Sequence, residues 1–315
     1  MLLGTLNVIL LVEEPGGPSG EQLDRLAARA FTLMSGLEEE LSKFEPESEV
    51  SLLNYLGAER SVTVAPELFS LLSLSRDYWR KTRGVFDPAL AGLSAAWGFD
   101  DGCGRVPSDR EIALLLEAGG MDGVILDEES QSVSFSRPGV AVDLGGIAKG
   151  FIVDRAVASL REGGARAGAF LSGRSTLVFW GQAPDEEHWR VGVADPRDPD
   201  RMRLELQVRE GVVSSSSASE RRFEVEGREY GHVLDPRTGR PVSHRGLGVT
   251  VWTPDALVGD VASTSLFVLG RDEGEEILDV FSPISVVFLE EDSLTTGGVT
   301  HTIHTRGDPG FVVVD

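Results

Sequence analysis

Apolar positions along the chain follow a helical spacing in some segments and a strand spacing in others. Residues 21–44 repeat apolar side chains every three or four positions, which is the pattern of an amphipathic helix. Pro66 suits the first turn of a second helix, which Gly84 ends. Three further helices are predicted at residues 108–117, 148–160 and 261–269.

Short runs rich in β-branched and aromatic residues predict the strands. They fall at residues 1–12, 62–64, 123–126, 132–135, 140–142, 169–171, 177–180, 190–193, 204–208, 222–225, 248–252, 284–288 and 311–314. Residues 48–54 and 214–217 are predicted as loops. Adjacent strands that do not alternate one for one with helices are typical of an α+β fold. No low-complexity linker divides the chain, so we expect one interwoven domain over residues 1–315.

Composition excludes several classes of function. The chain has 315 residues, is 41% apolar and carries a formal charge of -22. This charge repels nucleic-acid phosphates and anionic lipid, so neither is an expected partner. The single cysteine, Cys103, excludes an internal disulfide and a multi-cysteine metal site. Gly145 and Gly146 are adjacent and lack the Gly-x-Gly-x-x-Gly spacing of a dinucleotide-binding turn.

The N-terminal apolar run does not have the features of a targeting segment. No basic region precedes it, no lipidation cysteine follows it, and Asn7 interrupts it. No later stretch approaches the roughly 20 uninterrupted apolar residues that a membrane-spanning helix needs. We therefore expect a soluble, cytoplasmic protein without membrane insertion.

The segment Asp143-Leu-Gly-Gly-Ile-Ala-Lys-Gly150 joins a predicted strand to a predicted helix. Unpaired N–H groups at a helix N-terminus favour phosphate, and Lys149 would add a full positive charge there. The glycines also leave a carbonyl exposed as a metal ligand. A tight turn with a solvent-exposed lysine explains the same residues without any ligand.

Asp260 and Thr264 lie four positions apart in a predicted helix. This spacing places a carboxylate and a hydroxyl on one face, where both can bind a hard cation such as Mg²⁺. The alternative is that Asp260 caps the helix while Thr264 packs.

The segment Tyr230-Gly-His-Val-Leu-Asp-Pro-Arg-Thr-Gly239 contains a predicted turn between strands. His232, near the end of one strand, has the chemistry of a base, an acid or a hydrogen-bond donor to phosphate near neutral pH. A histidine beside a turn is also commonly structural.

The segment Thr82-Arg-Gly-Val-Phe-Asp-Pro88 precedes Trp97-Gly-Phe99. Phe86 suits stacking on a planar ring, Asp87 can accept a hydrogen bond from it, and Trp97 suits the wall of the same cleft. A glycine that ends a helix, followed by a hydrophobic anchor, explains these residues equally well.

In their order along the chain, from Thr82 to Thr264, the four segments resemble the ApbE family of FAD:protein FMN transferases. The resemblance also includes Gly4-Thr5, Ser48-Glu-Val-Ser-Leu-Leu-Asn54, Asp154 and Gly270, and it covers nearly the whole chain. It implies an α+β, T-fold-like architecture with largely antiparallel sheets. It also implies a Mg²⁺-dependent reaction that cleaves FAD, passes FMN to a threonine or serine hydroxyl of an acceptor flavoprotein, and releases AMP.

The resemblance assigns roles by motif position. The Gly146 carbonyl, Asp260 and Thr264 would bind Mg²⁺, and the catalytic residues would be His232, Asp260 and Lys149. The implied FAD contacts are Leu3, Phe44, Val85, Phe86, Asp87, Asp143, Lys149 and His232.

Several positions depart from the family pattern. Ser172-Gly173-Arg174 replaces Gly-Gly-Asp, and the serines at 214–217, followed by Ala218, replace Thr-Ser-Gly. Leu3 stands in place of a methionine and Phe44 in place of a tyrosine. Two alternatives to the transferase therefore remain: a Mg²⁺-dependent hydrolase that gives FMN and AMP, and a protein that binds FAD without turnover.

Overall fold

The computed structural model describes residues 2–184, 186–217, 222–243, 246–292, 298–307 and 309–314. Ala218 lies outside this range. The chain forms two compact units, each assembled from separate stretches of sequence. Unit 1 comprises Met1–Glu38, Lys149–Ser217 and Arg245–Asp315, and unit 2 comprises Glu39–Ala148 and Ala218–His244.

Of the helices in the described residues, five overlap the predicted ones and two, Glu49–Leu56 and Ala91–Ala96, do not correspond to a predicted helix. The helices are α1 (Gly20–Leu41), α2 (Glu49–Leu56), α3 (Pro66–Lys81), α4 (Ala91–Ala96), α5 (Asp109–Ala118), α6 (Ala148–Glu162) and α7 (Ala256–Glu275). Single 3-10 turns occur at Met121–Gly123 and Leu278–Phe281.

Two predictions about helices are wrong. Residues 48–54 form most of α2, because the Ser48 hydroxyl accepts a hydrogen bond from Ser51 N and caps the helix. Helix α7 begins at Ala256, so Asp260 lies inside the helix and not at its cap.

The strands are mostly short. They are β1 (Asn7–Leu11), β2 (Val62–Thr63), β3 (Val124–Asp127), β4 (Ser132–Phe135), β5 (Gly168–Ser172), β6 (Thr176–Trp180), β7 (Trp189–Asp195), β8 (Asp198–Val208), β9 (Gly211–Ser217), β10 (Arg222–Val225), β11 (Arg228–Gly231), β12 (Leu234–Asp235), β13 (Arg240–Pro241), β14 (Gly246–Thr253), β15 (Ile284–Glu291), β16 (Val299–Arg306) and β17 (Phe311–Val314). The serines at 214–217 belong to β9 and are not a loop. Residues 140–142 form only an isolated bridge, between Ala141 and Leu90, and not a strand.

Unit 1 is built on a sheet with the strand order β1-β5-β6-β9-β14-β15-β16, in which every neighbouring pair is antiparallel. One face packs against a smaller antiparallel sheet, β17-β8-β7, around a core that includes Phe179, Leu206 and Val287. Because strand side chains alternate, Thr176 points to the opposite face, towards α7. The predicted α+β fold with largely antiparallel sheets is confirmed.

Unit 2 combines short helices with a small sheet of order β2-β4-β3 and the hairpins β10-β11 and β12-β13. One of its cores is centred on Leu93, Trp97 and Ile112. Tyr230 from β11 packs against the Trp97 ring, with ring centroids 5.5 Å apart. This packing attaches the hairpins to the helices of unit 2. No helix of the described residues is long and apolar enough to cross a membrane.

Candidate active site

In unit 1, Asp260 lies at the centre of a buried polar cluster. Its side chain is 5% exposed, and Oδ1 accepts hydrogen bonds from Lys149 Nζ and the Thr176 hydroxyl, both at 2.9 Å. Oδ2 accepts a third bond from Gly150 N at 2.8 Å. Lys149 also contacts the Thr176 hydroxyl. A buried ion pair with such complete hydrogen bonding is costly to break from one side.

The cluster lies where α6 meets the start of α7, a region we call the helix junction: Lys149, Gly150 and Asp154 of α6 with Ala256, Leu257 and Asp260 of α7. The two helices approach unusually closely there. A Cβ on Gly150 would lie 2.3 Å from the Ala256 carbonyl oxygen. Only glycine at position 150 permits this approach.

Asp154 caps α7 from the neighbouring helix. Its two carboxylate oxygens accept hydrogen bonds from Ala256 N at 2.8 Å and Leu257 N at 2.9 Å. Asp255 occupies the N-cap position of α7 but makes no side-chain cap bond. Burial raises the pKa of Asp154 to about 6, although the two backbone N–H groups oppose the shift.

Thr264 lies one helical turn beyond Asp260 on α7 and is half-buried. The two side chains supply oxygen donors, which are the ligands that Mg²⁺ prefers. Among the described residues, no group of three or more His, Cys, Asp or Glu side chains is arranged to hold a metal. One carboxylate with neutral oxygens still suits Mg²⁺, because this ion commonly completes its coordination with water and substrate phosphates.

In unit 2, Asp87 is bonded to backbone groups on both sides. Its Oδ1 accepts hydrogen bonds from Ala89 N at 2.9 Å and from Met121 N at 3.1 Å. Burial raises the pKa of Asp87 to about 6, against the opposing effect of these bonds. The carboxylate thus connects the Phe-Asp-Pro segment to the turn after α5.

Asp143 pairs with a lysine that the sequence analysis did not identify. Lys43 Nζ lies 2.8 Å from Asp143 Oδ2 and 2.7 Å from Asp100 Oδ1. Asp143 Oδ1 also accepts a bond from Gly145 N at 2.9 Å. The composition could have drawn attention to Lys43, because lysine accounts for only three of the 29 basic residues, at positions 43, 81 and 149.

Val85 and Phe86 are buried beside the helix end that Gly84 forms, with φ at +83°. Phe86 N donates to the Thr82 hydroxyl at 3.1 Å. A Cβ on Gly146 would lie 3.3 Å from Phe86 Cε2, so the structure brings this ring beside the Gly146 backbone. The burial agrees with the hydrophobic-anchor interpretation of this segment.

His232 is half-buried between β11 and β12. The turn that follows is closed by Gly239 N, which donates to Asp235 O at 2.8 Å. Trp97, predicted as a cleft wall, is only 1% exposed, and its indole N–H donates to Gly239 O at 2.9 Å. Trp97 therefore supports the β12-β13 hairpin, which directly follows His232, from within the core of unit 2.

The remaining predicted positions lie at the periphery of their units. Leu3 N donates to Glu38 Oε1 at 2.6 Å. Phe44 is 61% exposed, with Lys43 Nζ 4.9 Å from its ring centroid. Arg174 is exposed in the turn between β5 and β6.

Comparisons with known proteins agree on one family. Residues 3–288 match the model of the ApbE family. The chain is 30% identical over 294 residues to a FAD:protein FMN transferase of Klebsiella pneumoniae, covering 93% of this chain and 91% of that protein. It is 31% identical over 297 residues to a FAD:protein FMN transferase of Rhodobacter capsulatus, covering 92% of this chain and 54% of that one.

Solved structures show the same fold. The ApbE protein of Thermotoga maritima superposes with a TM-score of 0.83 at 28% identity, covering 97% of this chain and 94% of that one. The apo flavinyl transferase ApbE of Pseudomonas stutzeri gives a TM-score of 0.80 at 26% identity, with coverages of 94% and 90%. The chain belongs to the ApbE family.

Proposed function

We propose that this protein is a FAD:protein FMN transferase. An acceptor hydroxyl oxygen attacks the FMN phosphorus of FAD, the bond from that phosphorus to the bridging oxygen breaks, and AMP leaves with that oxygen. The acceptor is a threonine or serine of a flavoprotein. The observation that carries the proposal is the buried Lys149–Asp260 pair, because a site that cleaves a pyrophosphate needs fixed charges of this kind.

Asp260, Thr264 and the Gly146 carbonyl are the proposed Mg²⁺ ligands. When bound, Mg²⁺ would neutralise charge on the pyrophosphate oxygens. The oxygen donors of Asp260 and Thr264 fit this ion, and the hydrogen bond from Gly150 N to Asp260 fixes the orientation of the carboxylate.

Lys149 contributes a positive charge at the start of α6, where helix N–H groups already favour phosphate. Its side chain is 22% exposed, which leaves it access to an anionic substrate while Asp260 and Thr176 hold it. His232 is the proposed base for the acceptor hydroxyl, or alternatively a donor to the phosphate. Leu3, Phe44, Val85, Phe86, Asp87 and Asp143 are the proposed FAD contacts.

The test is to incubate the protein with FAD and Mg²⁺, with and without a domain that offers an acceptor threonine. AMP release is followed by chromatography and covalent flavin by intact mass. Stoichiometric AMP with FMN on the acceptor is the expected result. Free FMN with AMP would favour the hydrolase, and intact bound FAD would favour a protein without turnover.

Two variants sharpen this experiment. Asp260→Asn is expected to abolish AMP release, because the amide removes the negative charge and one oxygen donor. Asp255→Asn alters a carboxylate at the start of the same helix and is expected to retain activity. Equal activity of both variants would remove Asp260 from the site.

A further inference from the structure

The start of α7 depends on a carboxylate that the helix does not itself provide. The first N–H groups of any helix lack intrahelical partners and need an acceptor. In α7 the residue at the N-cap, Asp255, leaves them without a side-chain bond, and Asp154 of α6 accepts from two of them. Ala256 is fully buried, so Asp154 also satisfies a donor that water does not reach.

This contact lies one helical turn before Asp260. Asp154 holds residues 256 and 257, Gly150 N holds the Asp260 carboxylate, and Lys149 pairs with the same group. All three holding residues come from one helix, α6. Asp154 makes no hydrogen bond to Asp260, and the two carboxyls interact directly only through their charges. Its effect on the position of Asp260 therefore passes through the backbone of α7.

We infer that Asp154 is a positioning residue for metal binding, which sets the axis and rotation of α7 so that Asp260 and Thr264 face one cation. The inference rests on the proposed function. Substitution of partners that hold a metal ligand in place typically lowers metal affinity by about 10- to 100-fold. Asp154 does not bond to a proposed metal ligand directly, but it holds the start of the helix that carries two of them.

The test measures metal binding directly, without turnover. Mn²⁺ serves as the probe because it shares the oxygen-ligand preference of Mg²⁺, and the electron paramagnetic resonance signal reports the free ion. The full-length protein is titrated without FAD as wild type, Asp154→Asn, Asp255→Asn and Asp260→Asn. FAD affinity without metal is measured for each variant by fluorescence quenching.

Asp154→Asn is expected to weaken Mn²⁺ binding about tenfold, because an amide can accept from only one of the two N–H groups. FAD affinity should stay within about twofold, a selectivity that general loosening of the fold would not give. Asp255→Asn is the matched control, since it removes a neighbouring charge at the same helix end without a cap bond. Its Mn²⁺ affinity should match that of wild type.

Wild-type affinity in Asp154→Asn, or an equal loss in Asp255→Asn, would overturn the inference. Unchanged binding in Asp260→Asn would instead overturn the metal assignment of the proposed function, so the two failures are distinct. If Asp154→Asn does not fold, hydrogen exchange of the backbone amides in the wild-type protein tests the cap instead. Ala256 and Leu257 amides should be protected from exchange at least as well as the interior of α7, and fast exchange of both would contradict a cap.

Discussion

Asp260 in unit 1 and Asp143 in unit 2 each pair with one of the three lysines, but the two pairs are built differently. Asp260 is 5% exposed and held by groups from α6 and β6. Asp143 is 30% exposed and lies in a loop, and its partner Lys43 reaches it from the segment after α1. The first pair is fixed by rigid elements, and the second holds loops in place.

The same contrast separates the two carboxyls whose pKa is raised to about 6. Asp154 accepts from the first turn of a long helix, whereas Asp87 accepts from Ala89 N in a loop and from Met121 N at the start of a single 3-10 turn. Helix-borne groups keep their geometry when a ligand leaves, while loop-borne groups can rearrange around one. The polar cluster around Asp260 in unit 1 is therefore held more rigidly than the backbone contacts of Asp87 in unit 2.

The largest expected difference between the two regions comes from the lysines. Lys149→Met leaves Asp260 buried without its counter-ion and should lower the free energy of unfolding by about 3–5 kcal/mol. Lys43→Met leaves two partly exposed carboxylates that water can solvate, at a cost of about 1 kcal/mol. Urea unfolding measures both, with Lys81→Met as the surface control. Equal losses at positions 43 and 149 would show that burial does not distinguish the pairs.

Glycine substitutions test the same contrast in the backbone. Gly150→Ala places a Cβ 2.3 Å from the Ala256 carbonyl oxygen, which must force α6 and α7 apart. We expect a loss of about 3 kcal/mol in the free energy of unfolding, with loss of AMP release. Gly146→Ala meets only the edge of the Phe86 ring at 3.3 Å and should cost less than about 1 kcal/mol. A tolerated Gly150→Ala would mean that the helix junction is not rigid.

Local periodicity was enough to predict most of the elements. Helix α3 has a proline in its first turn and a glycine after its end, so its limits could be read from the sequence. The serines of β9 were misassigned, because a polar run looks like a loop until their partners on α7 are known; Ser216 Oγ donates to Ser263 Oγ. Ser48 is a favoured N-cap residue directly before α2, but the short, mixed segment that follows it was predicted as a loop.

From the sequence, the candidate site could be predicted only at residues that belong to a motif with a recognisable chemistry. Asp260 and Lys149 stand out in the sequence, but they are 111 positions apart, and nothing local indicates that they pair. Asp154 and Lys43 were not assigned roles, because their partners lie on other elements. Long-range pairing of this kind is a property of the fold, which a single sequence does not reveal by periodicity.

The raised pKa values of Asp154 and Asp87 give a pH test of both regions. A carboxyl with a higher pKa in the folded state binds its proton more tightly there. Its contribution to the free energy of unfolding is therefore complete below about pH 3.8, and it is lost as the pH rises through about 6. Wild type should gain about 2 kcal/mol per group between pH 7 and pH 4, and Asp87→Asn and Asp154→Asn should each lack one such gain. Urea unfolding at four pH values measures this, and variants with the wild-type pH slope would contradict it.

The smallest expected effect on stability comes from two buried tryptophans. Comparing them tests whether a residue supports only the fold or also the candidate site. Trp97 in unit 2 and Trp180 in unit 1 are both 1% exposed, and each indole donates to one backbone carbonyl, Gly239 O at 2.9 Å and Ala165 O at 3.1 Å. Substitution by phenylalanine removes the donor in each case and should cost a similar amount, about 1–2 kcal/mol. Only Trp97→Phe loosens the β12-β13 hairpin that follows His232, so only this variant should lower the rate of FMN transfer at saturating FAD. Because the two variants are matched in chemistry and burial, an equal fall in rate would show that the loss follows stability, whereas a fall confined to Trp97→Phe would assign the hairpin to the reaction.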